Sequence, residues 1–343
     1  MSSLNSNIKL AINHCLAQGI RFACFRRKGE AVQFFCDPNG EASTDETFIV
    51  TPWLARFADS DVIGNCVSLS EALRLTGPGM KPVIISESTD QKNYIRALQS
   101  LIPTLKVDNR KTVISAIVTN CATVNWAEVA DILFDTYPEC FCHIYYTPRL
   151  GAWIGATPEL LLSADHSMSR VTTMALAGTK SHNNSWDDKN RHEQAIVTDF
   201  IVDKLRPIFS EINVSPIETI HYGNIDHLCT HIAASGTSCR YSEIVDLLSP
   251  TPAVAGLPRD KALEEIDNIE AHDRECYGGY ITVTDSHGSR SFVNLRCAHF
   301  SEDEYVVYAG GGITGESDPQ TEWLETRLKS AALINIINSA TNN

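Results

Sequence analysis

The spacing of apolar residues along the chain alternates between continuous runs and a period near 3.6 residues. Runs rich in β-branched and aromatic residues predict strands, whereas apolar positions three and four residues apart predict helices. Leu10, Ile12 and Leu16 mark a first helix. Buried strands are predicted over residues 20–25, 111–118, 140–147, 160–164 and 291–298, the last of which carries Arg296.

Helix boundaries can be predicted from capping residues and prolines. Asp90 is a good N-cap for a helix over residues 90–102, which Pro103 is expected to end. A second helix opens at residues 191–194, buries Val197 and its apolar neighbours on one face, and ends before Pro207. Further helices are predicted over residues 126–137, 242–248 and 260–270.

Residues 305–329 hold the densest set of chemically useful side chains. The apolar run at 305–308 predicts a strand, which is expected to break at the three glycines of 310–312. Glycines leave no side chain between the backbone and a ligand. The chain is then expected to restart as a helix, with Asp318 as N-cap and Pro319 as its first residue.

Two carboxylates and an ammonium of that helix are predicted to project together. At 100° per residue, Glu322, Glu325 and Lys329 fall within about a sixth of the helix circumference. A solvated, salt-bridged face is the ordinary interpretation of such a trio. The glycines beside it favour a ligand site instead. The neighbouring apolar stripe consists of Leu324, Leu328 and Ala331.

Composition narrows the classes of partner. Of the 343 residues, 43% are hydrophobic and 20% are charged, which is ordinary for a globular protein. The net charge of −14 argues against nucleic acid and anionic membranes as partners. A small anionic substrate remains compatible where a local cation or metal compensates the charge. The chain shows neither a leader pattern nor an apolar run of about 18 residues, so no membrane segment is expected.

The cysteines indicate a reducing compartment. There are 11 of them, an odd number without any CxxC pair. Cys140, Cys142 and His143 form the only tight cluster, and they lie in an apolar run. Buried thiols are therefore favoured over a metal site, and we expect a cytoplasmic protein.

Three residues outside the glycine region suggest chemistry. Lys111 begins a strand, where a lysine is ordinarily solvated. Glu159 lies between two apolar strands; burial there would raise its pKa, as a general acid requires, whereas an exposed turn is the ordinary interpretation. Glu193 follows a histidine as in zinc-protease helices, but position 196 is isoleucine. Oxygen ligands without a second histidine favour Mg²⁺ over Zn²⁺.

Taken together, the motifs resemble those of the chorismate-utilising enzymes, and within them the isochorismate synthases. The similarity covers roughly residues 105–335. The PTPAVAG loop distinguishes this branch from anthranilate and aminodeoxychorismate synthases. The matching segments, in order, are KTVISA, GATPELLL, ALAGTK, NRHEQ, HLCT, SPTPAVAGLPR, DRECYGGY, NLRCA and AGGGITGESDPQTEWLETRLK.

The resemblance implies an α+β fold, a mostly antiparallel two-layered β-sheet core flanked by helices in an α/β/α sandwich. We expect one chorismate-binding enzyme domain over residues 1–343, with a weakly matching part at 1–104 and a catalytic core at 105–335. It further implies a monomer without a glutaminase subunit, since no amidotransferase segment is present.

The resemblance also assigns roles to residues. Lys111 matches the general base that activates a water for attack on ring carbon 2 of chorismate, and Glu159 matches the general acid that protonates the departing hydroxyl at carbon 4. Mg²⁺ is the implied cofactor, with Glu193 and Glu325 as ligands and Glu322 in contact through water. Asn190 departs from the acidic residue that is common one turn before Glu193. The implied substrate-binding residues are Gly178, Thr179, His227, Thr230, Tyr277, Arg296, Gly310, Gly312 and Lys329; of these, Tyr277 and Arg296 match the residues that hold the enolpyruvyl carboxylate.

Three functions remain open from the sequence. The first is an isochorismate synthase, an Mg²⁺-dependent isomerase that feeds menaquinone or siderophore synthesis. The second is a salicylate synthase, which goes on to eliminate pyruvate in the same site. The third is a non-catalytic chorismate-binding subunit, although such a protein needs neither Lys111 as a base nor Glu159 as an acid.

Overall fold

The computed structural model describes residues 4–40, 44–81, 87–182, 184–222 and 225–341. In chain order the strands are β1 Phe22–Arg26, β2 Gln33–Cys36, β3 Thr47–Thr51, β4 Asp61–Gly64, β5 Lys111–Cys121, β6 Phe141–Thr147, β7 Gly151–Thr157, β8 Leu160–Ala164, β9 Arg170–Ser181, β10 Glu211–Val214, β11 Glu218–Tyr222, β12 Ile225–Ser235, β13 Gly256–Leu257, β14 Tyr280–Asp285, β15 Gly288–Val293, β16 Cys297–Phe300 and β17 Glu304–Thr314. The helices are α1 Ser6–Gln18, α2 Leu69–Ala72, α3 Gln91–Asp108, α4 Trp126–Thr136, α5 Asp188–Leu205, α6 Tyr241–Leu248, α7 Arg259–Ile269 and α8 Pro319–Thr341, with a 3₁₀ turn at Phe57–Asp59.

The strands form two antiparallel sheets, which confirms the predicted fold class. The first has eight strands in the order β13-β5-β17-β16-β7-β6-β1-β2. The second has the order β10-β12-β9-β8-β15-β14-β3-β4, with β11 also paired to β12. Strands β1 and β2 extend the first sheet, whereas β3 and β4 extend the second. The N-terminal third therefore completes one edge of each sheet.

Aromatic side chains fill the layer between the two sheets. Phe25 of β1 and Tyr145 of β6 belong to the first sheet, and their rings lie 5.2 Å and 5.6 Å from that of Phe48 in β3 of the second. All three are buried, and burying a large aromatic side chain contributes roughly 1.5–3 kcal/mol. This core holds the faces of the two sheets together.

The helices cover the outer faces of the sheets. Buried residues of α1, α4 and the second half of α8 form one cluster with the first sheet. Buried residues of α5 and α6 form another cluster with the second sheet. Helix α3 packs against β5, β17 and the start of α8. The cluster of Cys140, Cys142 and His143 is buried, as predicted, and burial raises the pKa of Cys142 to about 12.

The prediction that Pro103 ends helix α3 is wrong. Asp90 is the N-cap, as expected, and its side chain accepts a hydrogen bond from the Asn93 N–H. The helix then continues through Pro103 to Asp108 and ends at Asn109, whose φ of 49° is left-handed. Leu105 is fully buried beyond the proline. Packing of this last turn against the core outweighs the hydrogen bond that the proline cannot make.

The single strand predicted over residues 291–298 is two strands in different sheets. Strand β15 belongs to the second sheet and β16 to the first. Arg296 lies between them with a left-handed φ of 50°. An unbroken apolar pattern cannot show that the chain crosses from one sheet to the other, because both strands are buried and have the same character.

The prediction that the glycines at 310–312 break their strand is wrong. Strand β17 continues through them, and Gly310, Gly311 and Gly312 pair with Ser115, Ile114 and Val113 of β5. The predicted helix start at Pro319 is confirmed, with the Asp318 side chain accepting a hydrogen bond from the Thr321 N–H.

The apolar stripe predicted on helix α8 is only partly correct. Leu324 and Leu328 are 66% and 51% exposed, whereas Glu322 is 1% exposed. The charged side of the first two turns faces the sheets, so the leucines beside it turn outward. Hydrophobic patterning assigns the wrong face when a helix buries charged groups over a functional cavity.

Candidate active site

Lys111 is buried although it begins a strand. Its side chain lies at the start of β5 in the centre of the molecule, and the residue is 2% exposed. Burial lowers the pKa of the Lys111 ammonium, and the positive charges of Lys329 and Lys189 lower it further, against the opposite effect of Glu193. This environment shifts the ionisation equilibrium of Lys111 towards the neutral amine, the form that can accept a proton.

Glu159 is also buried, in the turn between β7 and β8. It is 3% exposed, so the ordinary interpretation of an exposed turn does not hold. Burial raises the pKa of Glu159 to about 8, although the nearby Lys111 charge opposes the shift. The carboxyl group is therefore protonated at neutral pH, and it lines the same cavity as the Lys111 side chain. A proton acceptor and a proton donor thus face one space.

The glycines of β17 leave room for the side chains of the site. A β-carbon at Gly312 would lie 2.7 Å from Lys111 Cε and 3.2 Å from Glu193 Oε1. A β-carbon at Gly310 would lie 2.7 Å from the Tyr277 hydroxyl. Distances this short between heavy atoms require displacement of one partner. The glycines therefore fix where these three side chains stand.

Three carboxylates converge where this cavity meets an adjoining one. Glu193 comes from α5, while Glu322 and Glu325 come from the first turns of α8. Lys329 Nζ lies 2.6 Å from Glu325 Oε1 and donates to the Gly310 carbonyl at 2.9 Å. Burial raises the pKa of Glu322. It acts in the same direction on Glu325, but the charges of Lys329 and Lys189 and the Lys329 hydrogen bond together outweigh it, so the pKa of Glu325 is lowered.

These carboxylates fit a hard divalent cation. Glu193 Oε1 and Glu322 Oε2 are buried and have no hydrogen-bond partner among the described residues. Unpaired carboxylate oxygens in a protein interior are costly, and oxygen ligands from several carboxylates are what Mg²⁺ prefers. The donor set holds no histidine or thiolate, which agrees with the predicted preference for Mg²⁺ over Zn²⁺.

A lysine that the sequence analysis missed lies among these carboxylates. Lys189 Nζ is 2.5 Å from Glu322 Oε1 and 4.0 Å from Glu193 Oε1. Burial alone would lower the pKa of Lys189, but Glu322 and Glu193 raise it. The sequence contained a signal, since Lys189 precedes Glu193 by four residues and side chains at that spacing meet on a helix.

Arg296 also lines the cavity. Its guanidinium lies 4.7 Å from the Tyr222 ring centre, and Nη2 is 3.3 Å from His227 Nε2. His227 Nδ1 is 3.0 Å from the Gly178 carbonyl. Burial and the Arg296 charge lower the pKa of His227 to about 3. The imidazole is therefore neutral, donates through Nδ1 to Gly178 and accepts from Arg296 through Nε2, which orients the guanidinium.

Most of the predicted site residues surround one cavity of about 750 Å³, counting the open solvent at its mouth. Glu322 lies instead in an adjoining cavity, which also contains Glu193 and Glu325. Thr230 does not line either space; its buried hydroxyl accepts a hydrogen bond from Gln194 Nε2. The predicted residues at the first cavity are Lys111, Glu159, Gly178, Thr179, Glu193, His227, Tyr277, Arg296, Gly310, Gly312, Glu325 and Lys329.

Asn190 has a structural explanation at its unusual position. Its side-chain oxygen accepts the Thr179 backbone N–H at 2.9 Å. The asparagine therefore ties the end of β9 to helix α5 rather than adding a fourth carboxylate to the cluster.

A second group of possible metal ligands lies outside the cavity. His182, His221 and Asp226 bring their ligand atoms together at the end of β9, β11 and β12. Lys180 Nζ lies 2.6 Å from Asp226 Oδ2 and already neutralises that carboxylate. Lys180 and His221 are the direct cross-strand neighbours of Asp226, so strand pairing accounts for the arrangement.

Fold and site together define a class of enzyme. Two face-to-face antiparallel sheets enclose a cavity lined by cationic side chains, a buried pair of ionisable groups with opposite pKa shifts and a carboxylate cluster, which suits a small dianionic substrate held with a divalent cation. Comparison with known proteins gives the family. The family model of the chorismate-binding enzymes matches residues 68–338. The chain belongs to that family.

Its relatives include several isochorismate synthases. The chain is 30% identical over 269 residues to isochorismate synthase EntC of Escherichia coli, covering 74% of this chain and 68% of that protein. It is 34% identical over 206 residues to isochorismate synthase MenF of the same organism, covering 56% of this chain and 47% of MenF. Only about half of the MenF length is therefore matched.

Solved structures confirm the fold. The crystal structure of MenF, the menaquinone-specific isochorismate synthase of Escherichia coli, superposes with a TM-score of 0.78 at 21% identity and covers 97% of this chain and 91% of MenF. Anthranilate synthase component I of Streptococcus pneumoniae gives 0.68 at 17% identity, covering 93% and 91%. Among the described residues, no helix combines the length and hydropathy that crossing a lipid bilayer requires.

Proposed function

We propose that this protein is an isochorismate synthase, which isomerises chorismate to isochorismate with Mg²⁺. The observation that carries the proposal is the pair of buried groups with opposite pKa shifts on one cavity, Lys111 lowered and Glu159 raised. The similarity to EntC and MenF supports the same reaction. The names of those relatives favour a product that enters menaquinone or siderophore synthesis.

The proposed reaction adds one water and releases one. The neutral Lys111 amine takes a proton from a water as the water oxygen forms a bond to ring carbon 2. The ring double bonds shift, and the carbon–oxygen bond at carbon 4 breaks. Glu159 gives its proton to that departing hydroxyl, which leaves as water. No oxidant or reductant is needed, and each positioned proton transfer supplies roughly 10²–10⁴-fold acceleration.

Two groups of cavity residues would hold the two carboxylates of chorismate. Arg296, oriented by His227, and the Tyr277 hydroxyl would hold the enolpyruvyl carboxylate, since a guanidinium binds a carboxylate through two parallel hydrogen bonds. Gly178, Thr179 and Lys329 would surround the ring carboxylate. Mg²⁺, held by Glu193 and Glu325 with Glu322 beyond them, would supply positive charge to that ring carboxylate.

The proposal extends to the domain organisation, the assembly and the compartment of the protein. We propose that the whole chain acts as one domain, as a monomer and without a glutaminase subunit. We also propose the cytoplasm as its compartment. The cysteines support a reducing compartment: all 11 are described, none forms a disulfide, and Cys66 and Cys121 are exposed.

Product identification tests the proposal. The purified protein is incubated with chorismate at neutral pH, with Mg²⁺ or with EDTA, and the products are separated by chromatography. A mixture of chorismate and isochorismate that forms only with Mg²⁺ is expected. Salicylate together with pyruvate would show a salicylate synthase. Binding of chorismate without conversion under either condition would overturn the proposal in favour of a non-catalytic subunit.

A further inference from the structure

The carboxylates of Glu193, Glu322 and Glu325, here called the acidic pit, also enclose a cation from the chain itself. Lys189 Nζ is 2.5 Å from Glu322 Oε1 and 4.0 Å from Glu193 Oε1. The lysine side chain is 26% exposed, whereas that of Glu322 is 2% exposed. Lys189 therefore reaches buried carboxylates from the solvent edge of the pit.

We propose that Lys189 competes with the divalent cation for the acidic pit. Its charge lowers the affinity of the pit for the metal and raises the affinity of the site for the anionic substrate. The inference rests on the proposed function, which places Mg²⁺ and a dianionic substrate at this cavity. The ammonium and the metal would act on the same two carboxylates. Lys189 faces Glu322 Oε1 and Glu193 Oε1. The buried oxygens without a hydrogen bond, Glu322 Oε2 and Glu193 Oε1, belong to the same two residues.

The formal charges around the pit show how Lys189 should change the affinity for each ligand. The three carboxylates are opposed by the ammonium groups of Lys189 and Lys329. A bound divalent cation would therefore leave the pit with a net positive formal charge. Without the Lys189 charge, the same pit would be more negative before metal binding and neutral after it. The lysine thus repels the metal but attracts an anionic substrate.

Removal of the Lys189 charge is therefore expected to have effects of opposite sign on the two ligands. In Lys189→Met, which keeps most of the side-chain length and apolar contact, the affinity for a divalent cation should increase at least tenfold, an order-of-magnitude expectation for two poorly screened charges at close range. The KM for chorismate at saturating Mg²⁺ should rise several-fold. A lysine that only supports the local fold would weaken both interactions.

Metal binding is measured without the reaction. Mn²⁺, which accepts the same oxygen ligands, is titrated into the substrate-free protein, and the signal of free Mn²⁺ is followed by electron paramagnetic resonance. Lys189→Arg retains the charge and should bind Mn²⁺ within about twofold of the wild type. Arg191→Met removes one positive charge from the exposed side of the same helix and should also leave the affinity unchanged.

The outcomes separate this inference from the proposed function. Tighter Mn²⁺ binding in Lys189→Met alone, with a higher KM for chorismate, supports it. Equal or weaker Mn²⁺ binding in Lys189→Met than in the wild type overturns it while leaving the metal site in place. Tighter binding in Arg191→Met as well would also overturn it, because a general charge effect would then explain the result. Failure of the wild type and all variants to bind Mn²⁺ or Mg²⁺ would overturn the proposed metal site and this inference together.

Discussion

Gly312 and Lys111 face each other across the β5–β17 pair so closely that a β-carbon on the glycine would lie 2.7 Å from Lys111 Cε. Gly312 pairs with Val113 in the ladder, two residues beyond Lys111. The glycine is thus required by the neighbouring side chain rather than by an unusual backbone angle. The proposed base depends on a residue in another strand that carries no chemistry of its own.

Gly312→Ala is expected to lower kcat by roughly 100-fold, because displacing the Lys111 amine by even about 1 Å moves it away from the position in which it can accept a proton from the water. Gly311→Ala is a matched control on the same strand, since its β-carbon would meet only Glu322 Oε2, at 3.4 Å. Steady-state kinetics on both variants, with circular dichroism to confirm folding, test the relationship. Similar losses in the two variants would contradict it.

Lys111→Ala is expected to reduce turnover by at least 100-fold with the fold retained, because the variant lacks the proposed general base beside the attacking water. Lys106→Ala, on the exposed surface of α3 with a side chain 66% exposed, is the control and should retain activity. Isochorismate formation is followed by chromatography. Activity of Lys111→Ala near that of the wild type would show that the base is another group.

The pH dependence of kcat/KM should be bell-shaped. Activity requires a neutral Lys111, so it should fall as the pH drops through the lowered pKa of that amine. Activity also requires a protonated Glu159, so it should fall again as the pH rises through about 8. Initial rates between pH 5.5 and 9.5, chosen as a range of about two units around neutrality, measure both limbs. A plateau that continued beyond pH 9 would exclude Glu159 as the acid.

Glu159→Gln should lose activity. Its free energy of unfolding should increase relative to that of the wild type as the pH rises. The carboxyl ionises near 4.5 in the unfolded chain and near 8 when buried, so between these values the folded state retains a proton that the unfolded state releases. Wild-type stability from this group is therefore present below pH 4.5 and declines as the pH rises, at most by about 1.4 kcal/mol per pH unit.

Urea denaturation at pH 5 and pH 8 measures this effect. The unfolding free energy of Glu159→Gln minus that of the wild type should be larger at pH 8. An equal difference at both pH values would mean that the Glu159 carboxyl group is solvated in the folded protein.

Glu325→Ala should chiefly weaken Mg²⁺ binding. The variant loses one proposed ligand and frees Lys329 from its 2.6 Å ion pair. The Mg²⁺ concentration for half-maximal activity is expected to rise at least tenfold, since a charged ligand typically contributes more than 1.4 kcal/mol. Glu316→Ala, an exposed glutamate at the edge of the adjoining cavity, is the control. An unchanged Mg²⁺ titration in Glu325→Ala would show that Glu325 is not a ligand.

The sequence predicted local structure well where that structure depends on residues that are close together in the chain. The caps at Asp90 and Asp318 start the helices that they predicted, since a side-chain oxygen that accepts a backbone N–H is a local interaction. The family resemblance, carried by nine short segments, correctly indicated the fold class. The helix spacing of Glu322, Glu325 and Lys329 also gave their common side, because a helix has a fixed angular repeat.

Tertiary packing explains the positions at which local sequence rules gave the wrong prediction. Helix α3 continues past Pro103 because Leu105 is buried beyond it. The leucines of α8 turn outward because the charged side covers the cavity. Thr230 belongs to the predicted set by motif, yet its hydroxyl supports Gln194 away from the cavity. Each of these depends on what lies opposite in space, which the order of residues does not contain.

The sequence by itself determined the family, the two-sheet class and most of the residues around the cavity. Only the tertiary structure decided the chemical state of those residues. Lys111 and Glu159 are unremarkable at a strand start and in a turn; burial by segments far away in sequence moves the pKa of each. Lys189 enters the acidic pit only because α5 and α8 meet there. Desolvation and charge proximity act through space, so they appear only once the chain has folded.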